Sequence, residues 1–261
     1  MSGRNYTLLA TVNPFEFDKR ITFEEERHLY FVDDQQVPIS ITGVLKKHDP
    51  APFDAPKIIL RCWRAWKFGD KKPELAEVLR DVNDDETAIA RVQSVWSRSS
   101  DLGTLLHKRL ECLVNDGDTE DPEFDPVNSE WTKLMGKLQD LDWSPVRSEL
   151  SVFYTNTRDA VVAAGQIDML AIDDNDEYIL IDLKRSSKDI GPQQRPFRPG
   201  EWTEYYKYSL QLSCYAVMCA QLLGKRIKPE NRFLLVADAA RAYWVQCLDL
   251  DSKATDMLEA L

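Results

Sequence analysis

The sequence predicts an α+β protein, and three observations support this fold class. Apolar residues recur at helical spacing through much of the first half, whereas short apolar runs of period two dominate after Pro145. The 261 residues are 43% hydrophobic and 30% charged, a composition typical of globular proteins. A helical first half followed by the order βββαββ favours one α+β unit whose early helices pack on the sheet.

The first half is predicted to contain a β-hairpin followed by helices. The polar segment Asp-Asp-Gln-Gln separates the two hairpin strands. Ser99, Ser100 and Asp101 are candidate caps for a separate helix that carries a leucine stripe. The predicted elements are hairpin strands at 28–31 and 37–42, helical structure over 56–112 with one helix at 87–96, a surface loop at 116–126 and a helix at 131–141.

The second half is predicted to be mainly strands. A Gly/Pro/Gln loop precedes the one long helix of this half. The predicted elements are strands at 149–154, 161–172 and 178–184, a loop at 191–200, a helix at 202–223, strands at 232–237 and 242–248, and a terminal helix at 253–261.

The charge is unevenly distributed. The formal net charge of −11 argues against a general nucleic-acid coat protein. Nevertheless, residues 57–72 carry six Lys or Arg against one Asp, interleaved with Trp63, Trp66 and Phe68. This segment is either an amphipathic helix with its tryptophans in the core, or a groove that follows a nucleic-acid backbone and stacks single-stranded bases.

The sequence favours an intracellular protein. It contains neither the long apolar run that a membrane span needs nor the basic-then-apolar start of a secretory signal, so we expect no membrane association. Its five cysteines are an odd number without a CxxC pair, which indicates reduced, mostly buried thiols.

The strongest functional pattern joins two consecutive strands. Asp168 follows Gly165 on the first strand, and Asp182 and Lys184 share one face of the second. Two carboxylates brought together by a hairpin repel each other unless a cation lies between them, and Mg²⁺ or Mn²⁺ prefers such oxygen ligands. Lys184 would then face a metal-bound water, as phosphodiester hydrolysis requires. The alternative is a surface hairpin with an ordinary Asp/Lys pair.

Several ordered motifs over residues 103–215 make the chain resemble the RecB-like branch of the PD-(D/E)xK nuclease superfamily. The first is Gly103-Thr-Leu-Leu-His107, similar to the GxxxH motif of that branch, and the last is Gln211-Leu-Ser-Cys-Tyr215, similar to its QxxxY motif. The resemblance implies His107, Asp168, Asp182 and the Leu183 carbonyl as metal ligands. It implies Asp168, Asp182, Lys184 and Glu149 as catalytic residues, and Gln211 and Tyr215 as residues near the DNA.

The resemblance also implies a fold and an activity. The fold is a restriction-endonuclease-like core, a mixed central sheet flanked by helices, with a helical N-terminal portion. We expect one nuclease domain over residues 1–261, with a hairpin and helical region at 1–100 and the core at 101–250. The implied activity is that of a Mg²⁺- or Mn²⁺-dependent deoxyribonuclease, an exonuclease rather than an endonuclease, acting on single-stranded or recessed ends in repair, recombination or replication.

Two departures limit what the resemblance implies. The cysteine pattern of the iron–sulfur members is missing, so we expect no iron–sulfur cluster. The sequence also lacks the nucleotide-binding motif GxxxxGK[ST], so any helicase that acts with the protein would be a separate chain. A recombination protein is the other partner that we expect. Endonuclease activity and an RNA substrate remain open.

Basic residues after Lys184 are candidate contacts for DNA phosphates. They are Arg185, Lys188, Arg195 and Arg198, in a segment that could equally be a plain surface loop.

Each site residue also has a structural interpretation. His107 could be a core or boundary residue, Glu149 a surface acid and Tyr215 a packing residue. Glu111, one turn after His107, is either solvated or orients the imidazole. At the level of function, the alternative is a catalytically silent nucleic-acid-binding or scaffold protein on the same fold.

Overall fold

The computed structural model describes residues 8–50, 52–139, 142–193 and 202–261. Two compact units are distinguished within it. The helical unit is Pro50–Leu105, and the sheet unit contains the described residues up to Asp49 together with Leu106–Leu261.

The sheet unit is built on a five-stranded mixed sheet. Its strands, in spatial order, are β4 (Ser144–Thr155), β5 (Val161–Ile172), β6 (Tyr178–Arg185), β7 (Arg232–Ala237) and β8 (Ala242–Gln246). Only β6 and β7 are parallel, because helix α7 (Glu204–Leu223) forms the crossover between them. The α+β prediction is confirmed.

Several helices of the sheet unit bury apolar side chains in the core that lies on this sheet. The long crossover helix α7 begins after a cap in which Thr203 Oγ1 accepts from the Tyr206 N–H, and it ends at Gly224, whose φ of 66° places it in the left-handed region. Its buried residues share a core with those of β4, β5 and β6. The helices are α1 (Leu8–Val12), α2 (Ile41–His48), α6 (Asn128–Leu138), α7 (Glu204–Leu223) and α8 (Asp251–Glu259).

The N-terminal hairpin lies earlier in the chain than expected. β1 (Ile21–Glu24) pairs with β2 (Leu29–Val32), and β3 (Gln35–Gln36) adds only two residues after a turn at 33–34. The strand predicted at 37–42 is therefore wrong. Ser40 Oγ accepts from the Gly43 N–H and caps α2, so a helix begins where apolar residues at period two had indicated a strand.

The helical unit contains α3 (Ala55–Lys67), α4 (Pro73–Leu79) and the first part of α5 (Asp85–Val114). Ile59, Trp63 and Trp66 form the buried face of α3, so the two tryptophans belong to the core. The two helices predicted at 87–96 and after Asp101 are one continuous helix of 30 residues. The polar segment 97–101 is exposed along this helix and does not interrupt it, because neither Gly nor Pro stands there.

No helix among the described residues is both long and apolar enough to cross a membrane. Four of the five cysteines are buried, and Cys62 is half-buried.

Candidate active site

The candidate site begins where β5 and β6 diverge. Met169↔Ile181 is the last pair of the β5–β6 ladder at this end, and the same register places Asp168 opposite Asp182. The Leu183 N–H donates to Asp168 Oδ2 at 2.7 Å. The Asp168 carboxylate thus takes the hydrogen bond that a strand carbonyl would otherwise accept, and this fixes its position in the fork between the strands.

His107, Glu149 and Asp168 form a group of potential metal ligands. One ligand atom from each lies within 4.8 Å of the other two, and all three side chains are partly buried. His107 Nδ1 is 3.4 Å from Asp168 Oδ2. A helix, α5, and two strands, β4 and β5, therefore deliver one imidazole nitrogen and two carboxylates to the same place.

Glu149 reaches this group through an unusual backbone conformation. Its φ is 45°, in the left-handed region that L-residues other than Gly rarely adopt. The flanking pairs Ser148↔Met169 and Leu150↔Ile167 keep their register, and Gln166 Nε2 donates to the Glu149 carbonyl at 3.1 Å. The surrounding ladder therefore holds a strained residue in place, as is common at functional sites.

If every acid of the site were ionised, their negative charge would exceed what nearby cations neutralise. Burial, together with the charges of Asp168, Glu111 and Asp182, raises the pKa of Glu149 to about 9. Burial, followed by the charge of Glu25, raises the pKa of Glu111 to about 7. Glu111 therefore belongs to the acidic surroundings of the site and is not a simply solvated glutamate.

Asp182 and Lys184 form an ion pair beside this group. Lys184 Nζ lies 2.7 Å from Asp182 Oδ2, and the Asp182 side chain is almost fully buried. Burial raises the pKa of Asp182 to about 6 against the opposing effect of Lys184. For Lys184, burial disfavours the charge, but Asp182 and Asp168 outweigh it and hold the pKa above its usual value. The ammonium also lies 5.0 Å from the centre of the Tyr208 ring.

Gln211 and Tyr215 lie on α7 and bond to each other. Gln211 Nε2 donates to Tyr215 Oη at 3.1 Å, and the Tyr215 ring is buried. A Cβ atom at Gly165 would come within 2.7 Å of this ring, so a glycine is needed where Tyr215 packs on β5. The burial of Tyr215 favours a packing role, and its role near nucleic acid stays a prediction.

The basic residues after Lys184 have different surroundings. Arg185 donates from Nε to the buried Glu130 at 2.9 Å, so its guanidinium supports α6 against β6. Lys188 is exposed and lies 3.0 Å from Glu204. Arg195 and Arg198 lie outside the described residues.

Two residues near the site were not among the predicted site residues. Tyr30, on β2, is buried, and burial together with the charge of Glu149 raises its pKa. Tyr208, on α7, supplies the ring beside Lys184. Nothing in the sequence around Tyr30 indicates its proximity to Glu149, because that proximity arises from the packing of the hairpin.

The residues present fit a divalent cation. The donors are carboxylate oxygens and one imidazole nitrogen, a set suited to Mn²⁺ and Mg²⁺. The raised pKa of Glu149 follows from its burial among like charges, which a bound cation would offset. Leu183, between Asp182 and Lys184 in the sequence, is buried, and its N–H donates to Asp168.

No curated protein shows a significant sequence match to the chain. Among solved structures, one titled "Crystal structure of SSO0001" is similar at 17% identity and a TM-score of 0.35, over 84% of this chain and 81% of that one. The family model described as the PD-(D/E)XK nuclease superfamily matches residues 84–256, more than half of the chain, which includes every residue of the acidic group. The chain therefore belongs to the PD-(D/E)XK nuclease superfamily, whose nucleases use divalent metals.

Proposed function

We propose that the protein is a Mg²⁺- or Mn²⁺-dependent deoxyribonuclease that hydrolyses phosphodiester bonds, with a preference for the ends of single-stranded or recessed DNA. The observation that carries the proposal is the half-buried convergence of His107, Glu149 and Asp168 beside the Asp182–Lys184 pair. Such an arrangement is electrostatically unfavourable without a cation and suited to hydrolysis with one.

The residues proposed to hold the metal are His107, Glu149 and Asp168, with Asp182 and the Leu183 carbonyl beside them. When bound, a divalent cation polarises the phosphate and makes water a stronger nucleophile. The protein holds the metal-ligating side chains in fixed positions. The hydrogen bond from the Leu183 N–H positions the Asp168 carboxylate, and the strained backbone at Glu149 positions the Glu149 carboxylate.

Lys184 is proposed to orient the attacking water and to stabilise the charge that develops on the phosphate. Its ammonium is held by Asp182 and by the Tyr208 ring, so little reorganisation is needed when substrate arrives. The proposed DNA contacts are Gln211 and Lys188, with Arg195 and Arg198 as further candidates.

The first test is cleavage of end-labelled linear and circular DNA, single- and double-stranded, with Mg²⁺, Mn²⁺ or EDTA. We expect metal-dependent cleavage of linear substrate and none of circular substrate. Cleavage of circles would show an endonuclease. Metal binding without any cleavage would support the catalytically silent alternative.

The second test assigns the activity to these residues. Asp168→Asn keeps an acceptor for the Leu183 N–H but removes one negative charge from the group, so we expect cleavage to be abolished in a folded protein. Asp182→Asn should have the same effect. Asp174→Asn, in the exposed β5–β6 turn, is the matched control and should cleave as wild type does. Near wild-type turnover by the Asp168 and Asp182 variants would contradict the assignment.

A further inference from the structure

The exposed face of α3 combines positive charge with apolar side chains. Lys57, Arg61, Arg64 and Phe68 follow one another at intervals of four, three and four residues, so they share one side of the helix over ~16 Å. The opposite side is the buried Ile59, Trp63 and Trp66 face. The helical unit thus presents one continuous basic face, defined by Lys57, Leu60, Arg61, Arg64 and Phe68.

Large apolar side chains are exposed on and beside this face. Phe68 is 85% exposed, Phe53 70% and Leu60 41%, and the other exposed large apolar residue in the described chain is Val12. Phe53 lies just before α3, with its ring 5.5 Å from that of Trp96. Leaving aromatic rings in water costs free energy, so their exposure in this unit calls for a ligand that covers them.

Two of the cations on this face have no acidic partner in the part of the chain that the structure describes. The third cation of the face, Arg64, is paired with Asp85 at 2.9 Å. Lys67, outside the face, donates to the Val82 carbonyl and lies near Asn83. No described carboxylate lies within ion-pair distance of Lys57 or Arg61. The only acid near them in sequence is Asp54, which accepts from the Lys57 backbone N–H and caps the helix.

We propose that the basic face of α3 binds single-stranded nucleic acid, with Lys57 and Arg61 contacting phosphates and with Phe53 and Phe68 stacking on bases. This inference rests on the proposed nuclease function, because it describes how the same substrate is held. Phosphates neutralise the cations, and the face of any base can cover an exposed aromatic ring.

Charge and base accessibility favour this ligand over others. A protein partner would need a larger continuous apolar patch than two phenylalanines and a leucine separated by cations. In a duplex the base faces are already stacked on each other, so the rings would find no partner there. The surface therefore matches single strands, although the chain as a whole is strongly acidic.

The test measures binding without cleavage. A fluorescein-labelled 20-nucleotide oligothymidylate is titrated with full-length protein in EDTA by anisotropy at several KCl concentrations, beside a duplex of equal length. We expect the Lys57→Gln/Arg61→Gln double variant to bind more weakly and the slope of log K against log salt to fall by about 1.4, because each phosphate contact contributes about 0.7.

Phe68→Leu separates stacking from apolar burial. It keeps an apolar side chain at an exposed position, so the fold is unaffected, and we expect roughly 5- to 100-fold weaker binding of single strands. Arg80→Gln is the matched control. It removes an exposed charge from the end of α4, outside the basic face, and should change neither affinity nor salt slope.

The outcomes distinguish this proposal from the proposed function. Unchanged affinity and slope in the variants, equal binding of duplex and single strand, or no binding at all would overturn the role of the basic face even if the protein cleaves DNA in Mn²⁺. Wild-type protein that binds single strands through this face but cleaves nothing in Mn²⁺ would overturn the nuclease function alone.

Discussion

The acidic group at His107, Glu149 and Asp168 and the ion pair at Asp182 and Lys184 lie side by side but balance their charges differently. The ion pair contains its own cation 2.7 Å from the carboxylate. The acidic group has two carboxylates, a nearby third in Glu111, and no described lysine or arginine within ion-pair distance. One part of the site is therefore neutralised within the folded chain, whereas the other has excess negative charge that the proposed metal would neutralise.

Removing the internal cation should have the largest effect. Lys184→Ala should lower the single-turnover cleavage rate roughly 10²- to 10³-fold at saturating Mn²⁺, because a preorganised charge next to the reacting phosphate is lost. Lys184→Arg should not restore the rate, since a broad guanidinium does not fit in place of a compact ammonium. Calorimetric metal titration of the same variants should show little change. If the Lys184→Ala variant instead lost much of its metal affinity but kept the wild-type cleavage rate at saturating Mn²⁺, Lys184 would position the metal ligands and would not take part in the chemistry.

Reducing the charge of the acidic group should stabilise the metal-free protein. Glu149→Gln should raise the free energy of unfolding in EDTA at pH 8 by about 1 to 3 kcal/mol. The folded wild-type protein must take up a proton at Glu149 that the unfolded chain has released, or bury the charge, and the amide needs neither. Exposed Glu230→Gln is the control and should be neutral. Urea denaturation measures both, and an equal or lower stability of the Glu149 variant would contradict the charge imbalance.

The same imbalance predicts how stability depends on pH. The pKa of Glu149 is raised to about 9 in the folded protein, so the folded state binds a proton that the unfolded chain has already released above pH ~4.5. The free energy of unfolding in EDTA should therefore be highest near pH ~4.5, the pKa of the unfolded chain, and should fall as the pH rises toward 9. Saturating Mn²⁺ should flatten the profile, and so should Glu149→Gln. A wild-type profile that is flat in EDTA from pH 5 to 9 would contradict the raised pKa.

The smallest of these effects should come from the imidazole ligand. His107→Ala should weaken Mn²⁺ binding by roughly tenfold, about 1.4 kcal/mol, since the carboxylates remain. Imidazole suits Mn²⁺ better than Mg²⁺, so the variant should lose part of the wild-type preference for Mn²⁺. His48→Ala, whose Nδ1 bonds the Val44 carbonyl, is the control. An unchanged metal dose-response would make His107 a packing residue.

The sheet and the acid positions could be predicted because local pattern determines them. Strand periodicity located β5 and β6 to within a residue of their observed ends, and a hairpin between them places Asp168 opposite Asp182. The crossover helix and the last two strands follow from the same kind of signal. The site residues on these elements could be proposed for the same reason.

Features that depend on distant packing could not be predicted. Glu130 lies 55 residues before Arg185, and nothing near either residue indicates that they pair. The left-handed backbone of Glu149 is imposed by the ladder around it and has no local signature. The polar segment within α5 resembles a helix start, but α5 continues through it because a solvated helix tolerates serines.

The close approach of Gly165 and Tyr215 bears on how sequences of this kind are compared. A methyl group at position 165 would occupy the space of the tyrosine ring, so these two positions, 50 residues apart in the chain, are under one steric constraint. A chain with a bulkier residue at 165 should carry a smaller one at 215, and the reverse. When sequences are compared, Gly165 and Tyr215 should therefore count as one shared feature and not as two independent signs of common ancestry.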